Sequence, residues 1–466
     1  MVFLILRIPA SGTHIAVARP LPVNTKPRFL TTVDTNIREF LWVAVPKSTG
    51  AFLQLVFNFL LLWQLGSNQF GALAVCLTGL ILADAVLGSS FDMAVLRVAP
   101  LEQQDNPQYS LQVQQAGLLL KPALGVLAAV PLVLFGNALG ALLFQQQGSA
   151  TLLYLTAAAV LARLTMRSVQ THFQVGRNFR RYGSIEVLHS VGRYGGIAVL
   201  IALRLATPER VLAMCAAAPL VLTSVFLATQ ARALLQVPLS GHALAQVLRL
   251  VKTYIATSSV GSTVDRIDLF LVTSLASVSQ AGIFAAAQTM VLVPQLLGMY
   301  LGVVFSPRVM PLWKRGELAG VYRRFQKVAF LACCAVFVIA VPAIRPVAAV
   351  LLPHSFASAA GVALILLPVG LVGFLNFPWT VSLLLFSRPR LLVAIELAFV
   401  PVLVAGYTFA IPRYGAGGAA AVSAAYALLK TATLQALAWR TLRRPPAEMG
   451  LAAPPGGPVL APSRSF

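Results

Sequence analysis

Apolar runs dominate this chain, and their lengths carry the first structural message. A bilayer crossing needs about 20 mostly apolar residues. Such runs recur near residues 41–64, 69–91, 117–138, 150–172, 185–204, 211–231, 252–275, 280–304, 326–350, 360–386, 391–410 and 415–438. They predict an all-α integral membrane protein with about 12 transmembrane helices. Residues 1–38 are polar, basic and broken by Pro9, Pro20, Pro22 and Pro27, and Val2–Leu6 is too short for a signal-peptide core. They are expected to form a disordered cytoplasmic extension, and the Pro/Gly/Ala-rich residues 441–466 a disordered cytoplasmic tail. Between them lie an expected N-lobe (39–231, spans 1–6), a cytoplasmic linker (232–251) and a C-lobe (252–440, spans 7–12).

Composition changes how the charge is read. Lys and Arg number 35 against 13 Asp and Glu, a net charge of +22 that in a soluble protein would point to nucleic acid. Here 58% of residues are hydrophobic, 10% are charged and mean hydropathy is +0.82, which excludes a soluble nucleic-acid binder. The cations gather in alternate gaps: the N-terminal segment and Arg97, then Arg177, Arg180 and Arg181, then Arg232, Arg249 and Lys252, then 308–327, Arg388 and Arg390, and the C-terminal group. The opposite gaps hold only Arg204, Arg210, Arg345 and Arg413. By the positive-inside rule both termini are cytoplasmic, with anionic membrane lipids as partners of the basic loops. Cys76, Cys215, Cys333, Cys334 and the five histidines show neither metal-ligand nor disulfide spacing, so no metal or cofactor is expected.

A weak internal repeat supports two six-helix lobes. Gln69-Phe70-Gly71-Ala72-Leu73-Ala74 follows the first span, and Gln280-Ala281-Gly282-Ile283-Phe284-Ala285 follows the seventh, with the glycines 211 residues apart. Tyr414-Gly415-Ala416-Gly417-Gly418-Ala419 opens the last span in the same style. Small residues also recur in membrane helices because they permit close packing.

Charges inside the runs carry the functional signal. Each costs at least about 2.5–3.5 kcal/mol at mid-membrane, so each needs a reason. Lys47 and Lys430 lie near cytoplasmic ends and can snorkel. Arg163 and Arg167 are four residues apart and share a helix face that continues to Thr171; Arg193 lies in the next span, one turn after His189. With Lys47, Lys121 and Arg266 they form a candidate site for a phosphate-bearing head group, since guanidinium donors match phosphate oxygens. The other reading is that these cations snorkel or pair with buried acids. Asp265 and Asp268, three residues apart, share a helix face and are candidates for coupling to H⁺ or Na⁺, or for a salt bridge with Arg266 or an N-lobe Arg. Asp84 is a further ion-coupling candidate, expected to pair with Lys47 or Lys121.

Val264-Asp265-Arg266-Ile267-Asp268 through Gly282-Ile283-Phe284-Ala285-Ala286-Ala287, with Phe70-Gly71, Arg97 and Pro412-Arg413-Tyr414-Gly415-Ala416-Gly417-Gly418-Ala419, resembles the multidrug/oligosaccharidyl-lipid/polysaccharide (MOP) exporter superfamily, in its polysaccharide flippase branch. Phe284 stands where that family usually has Tyr. The resemblance covers about residues 38–442. It implies two lobes around a central cavity, alternating access, and a polyprenyl-diphosphate-linked oligosaccharide as cargo at the bacterial inner membrane. Implied partners are the polysaccharide polymerase and glycosyltransferases of the same pathway. A cation-coupled multidrug antiporter is the alternative, although it would favour an acid-rich cavity. A membrane-embedded polysaccharide polymerase or ligase is a second, weakened by the lack of a large external gap. No nucleotide-binding loop or catalytic Ser/His/Asp spacing appears, so no enzymatic activity is expected.

Overall fold

The computed structural model describes residues 29–144, 150–229, 234, 236–292, 318–385 and 389–442, and the secondary structure among them is helical throughout. The helices are α1 (Phe29–Ala83), α2 (Ser89–Asp105), α3 (Pro107–Leu134), α4 (Gly136–Phe144), α5 (Ala150–Val175), α6 (Phe179–Ala202), α7 (Pro208–Thr229), α8 (Gly241–Val264), α9 (Ile267–Leu275), α10 (Val278–Met290), α11 (Leu318–Leu351), α12 (Ala359–Leu385) and α13 (Pro389–Leu442). A five-residue π-helical stretch, Asp84–Gly88, joins α1 to α2. Short polar caps start several of them: Asn106, Asn178, Ser240 and Ser277 each accept from the backbone N–H three residues on, and Pro107 occupies the first turn of α3 where its missing N–H costs nothing.

Among the described residues, the expected spans fall almost entirely on helix. α1 and α13 each carry two, because Gly66 (φ 67°) and Gly415 (φ 56°) reverse the chain without a loop, in a left-handed conformation open to glycine. The arms of α13 meet as a hairpin: Tyr407 Oη and Ser423 Oγ are 2.9 Å apart, and Phe399 packs edge-on against Tyr426. In α1 the first arm runs alongside α6, with Phe57 stacked on Tyr194. The second arm runs along α5, Gly79 lying beside Thr156. The seventh span is α8 plus α9, and α10 begins the eighth, whose remainder lies outside the described residues. Apolar side chains such as Leu134, Val350 and Phe409 are exposed, as a lipid-facing surface requires.

The repeated glycines meet each other. A Cβ on Gly71 would lie 2.0 Å from the Val278 carbonyl oxygen, and a Cβ on Gly282 would lie 2.0 Å from that of Ser67. Ser67 and Ser279 hydroxyls share a hydrogen bond of 2.8 Å. The contact is reciprocal, each partner displaced by the same 211 residues. The offset also relates Arg204 (φ 55°) to Gly415 (φ 56°), so each half places a positive-φ residue at the corresponding position. At the other end, Ser90 and Ser258 hydroxyls are 2.8 Å apart and Arg97 donates to Tyr254 Oη at 3.2 Å.

Two expected boundaries shift. α1 begins at Phe29, so residues 29–38 are helical rather than disordered; residues 1–28 and those after Leu442 lie outside the described set. Residues 241–251 of the expected linker form the first turns of α8, because Ala243, Val247 and Val251 make an apolar stripe buried against Phe91, Val95 and Val113.

Candidate functional site

The intramembrane charges collect in one network inside the first half, built from the π stretch, α2, α3, α5 and α6. Asp92 is its hub. Lys121 Nζ lies 2.5 Å from Asp92 Oδ1, which also accepts from Thr171 Oγ1 at 2.5 Å. Arg167 donates to Asp92 Oδ2 from Nε at 2.9 Å and from its terminal nitrogen at 2.7 Å. The other terminal nitrogen reaches Asp84 Oδ2 at 2.9 Å. Two Arg167 nitrogens thus share one Asp92 oxygen while the third holds Asp84, so the guanidinium bridges two carboxylates at charge-assisted distances. A charge as deeply buried as Lys121, with a side chain 2% exposed, is tolerable only when so paired.

Arg163 is held differently. Its nearest partners are His189 Nδ1 at 3.4 Å, Asp84 Oδ2 at 3.6 Å and Glu186 Oε1 at 4.0 Å, all beyond the 2.7–2.9 Å of a charge-assisted bond. Glu186 is committed to Gln170, whose Nε2 donates at 2.6 Å. Arg193 stacks over the Tyr194 ring at 5.1 Å, and its Nε is buried with no hydrogen-bond partner among the described residues. The network therefore sets Lys121, Arg163, Arg167 and Arg193 against Asp84, Asp92 and Glu186, one cation in excess. That excess resides with Arg163 and Arg193.

Several expectations are corrected. Asp84 pairs with Arg163 and Arg167, not with Lys47 or Lys121; the π stretch carries it toward α5. Lys47 is exposed, over the Tyr182 ring at 5.8 Å, and joins none of these ion pairs. Lys121 and Arg167 are each paired with acids, the second reading that the sequence left open. Arg266 stands at the N-cap position of α9 without a side-chain capping bond, half-buried, and makes no ion pair among the described residues. Asp265 and Asp268 do not share a helix face, because the helix ends at Val264 and restarts at Ile267. Asp265 is exposed and meets Lys430 Nζ at 3.2 Å. Asp268 is buried, accepting from the Leu269 N–H at 2.7 Å and from Gln288 Nε2 at 3.1 Å, with no Lys or Arg nitrogen within 4.0 Å among the described residues.

Sequence reasoning passed over a second cluster in the other half. Lys430, read as a snorkelling residue, lies 2.5 Å from Glu396 Oε1 as well as near Asp265, while Tyr426 donates to Glu396 Oε2 at 2.5 Å. Asp92 and Glu186 were likewise passed over. The signal for both was available: a buried cation demands a buried acid, and these were the acids within reach. Among the described residues no cluster of His, Cys, Asp and Glu is arranged to hold a metal ion.

Solved structures decide the fold. A lipid II flippase, MurJ in an inward closed conformation, superposes with a TM-score of 0.70 at 9% identity over 87% of this chain and 88% of its own. An inward-facing multidrug resistance MATE transporter of the MOP superfamily matches at 0.67 and 13% identity, over 89% and 100%. The fold is that of the MOP transporters. A further MOP transporter, from Pyrococcus furiosus, matches at 0.62 and 15% identity over 87% and 96%, and is described as having a binding pocket of reversed polarity. No family model matches the sequence, and no curated protein does.

Proposed function

We propose that this protein moves a polyprenyl-diphosphate-linked oligosaccharide across the bacterial inner membrane by alternating access, with both termini cytoplasmic. The observation that carries this reading is the uncompensated cation of the first-half network. Arg163 and Arg193 offer guanidinium nitrogens that no carboxylate saturates, in a setting that repels a cationic drug and suits phosphate oxygens. The shared fold supports transport, and a flippase for lipid II is among the structures that share it. The earlier candidate set narrows to Arg163 and Arg193. Lys121 and Arg167 hold the acids that would otherwise cancel them.

Asp268 favours a coupling role over Asp84 and Asp265, which are held by permanently or strongly charged partners. A carboxylate buried without a cation is costly unless it carries a proton. The same residue is what would favour the antiporter alternative. The two readings separate in one experiment: replace Arg163 and Arg193 by Gln and follow surface-glycan export and membrane insertion together. Export should fall at least tenfold, since a charged hydrogen bond is worth about 1.5–3 kcal/mol, with insertion unchanged. Unimpaired export by the double variant rules the site out.

A further inference from the structure

We propose that the head group binds together with one proton, taken up on His189 Nδ1 when Arg163 turns from the ring to the phosphate. The inference rests on the diphosphate reading above.

His189 is 6% exposed, and its Nδ1 lies 3.4 Å from an Arg163 terminal nitrogen. A guanidinium only donates, so Nδ1 is the acceptor and the ring is uncharged in this contact, its proton on Nε2. The groups that surround it are Glu186 and Arg193 on α6, Arg163 on α5, Asp84 on the π stretch through Arg163, and Cys215 on α7 beside Arg193. A proton on the ring now would face Arg163 and Arg193 together, so the empty site holds His189 neutral.

An incoming dianion changes both conditions. Arg163 is the most loosely held of the network's ion-paired cations, with its partners at 3.6 and 4.0 Å against 2.7–2.9 Å for Arg167, and the one in contact with the ring. It is therefore the guanidinium free to swing to a phosphate oxygen. In leaving it uncovers the Nδ1 lone pair. The site's single excess cation does not balance a diphosphate diester, a dianion at neutral pH, and one further positive charge does. The buffered solvent gives up that proton to Nδ1, its buffer acid becoming the conjugate base, the imidazole becomes imidazolium, and no bond of the cargo is made or broken. Proton and cargo then favour each other reciprocally.

The test is calorimetric titration of the full chain in lipid nanodiscs with polyprenyl-diphospho-N-acetylglucosamine, in buffers of different protonation enthalpy. About one proton should be taken up per molecule bound, and affinity should tighten about tenfold for each pH unit lowered across the ring's titration range. His189→Gln keeps a neutral acceptor for Arg163; it should bind without proton uptake and with an affinity flat in pH. Binding by the unsubstituted protein without proton uptake overturns the proposal. So does uptake that survives in His189→Gln, or that is lost in Asp268→Asn alone. If the unsubstituted protein binds no diphosphate lipid, the diphosphate reading itself fails and this inference falls with it.

Discussion

Asp92 and Lys121 show how one buried pair can be unequal in its two members. Asp92 neutralises both Lys121 and Arg167, whereas Lys121 has Asp92 as its ion-pair partner among the described residues. Removing the acid strands a fully buried ammonium; removing the ammonium leaves Asp92 still held by Arg167 and Thr171. Asp92→Asn should therefore cost about 3–5 kcal/mol, the penalty for an uncompensated buried charge, and Lys121→Met clearly less. Denaturant unfolding in detergent, comparing the two single variants with the double, would rank them. Equal losses would show that the pair acts as an isolated bridge rather than as part of a hub.

At the scale of elements, the turns that reverse the chain make the sharper prediction. Gly415 sits at φ 56°, ψ −135°, and a Cβ there would meet Gln280 Oε1 at 2.7 Å, the same oxygen that accepts the Ala416 N–H. Gly415→Ala should destabilise by about 1–3 kcal/mol. Arg204 adopts a similar φ of 55° with a side chain attached, so Arg204→Gly should relieve strain and raise the melting temperature by a few degrees. The spans themselves were legible because lipid demands long apolar helices, and the apolar runs announce them with no help from tertiary contacts. The breaks were less so. Nothing near Asp265 and Arg266 signals an interruption as proline would, and the π stretch at Asp84–Gly88 reads as ordinary helix. That is why Asp265 and Asp268 seemed to share a face and why Asp84 was assigned the wrong partners. The site was half legible: Arg163 and Arg193 announce themselves as cations in lipid, but which cations are cancelled depends on pairings across α2, α3, α5 and α6 that spacing along one helix does not encode.

For the whole molecule, the proposed alternating access requires the two ends of the interface between the halves to part in turn. Ser67 with Ser279 marks one end and Ser90 with Ser258 the other, each with hydroxyls 2.8 Å apart. Cysteines at Ser67 and Ser279 should cross-link under mild oxidation, stop transport and restore it on reduction; cysteines at Ser90 and Ser258 should do the same from the opposite end. Transport that continues through either cross-link would mean that that end stays shut throughout the cycle. The reciprocal seating of Gly71 against Val278 and Gly282 against Ser67 has a consequence of its own. A patch that greets its counterpart with the same atoms it receives is the signature of isologous association, the way identical subunits pair about a dyad. The two halves of one chain therefore meet at Gly71 and Gly282 in the way the two subunits of a homodimer meet on their dyad.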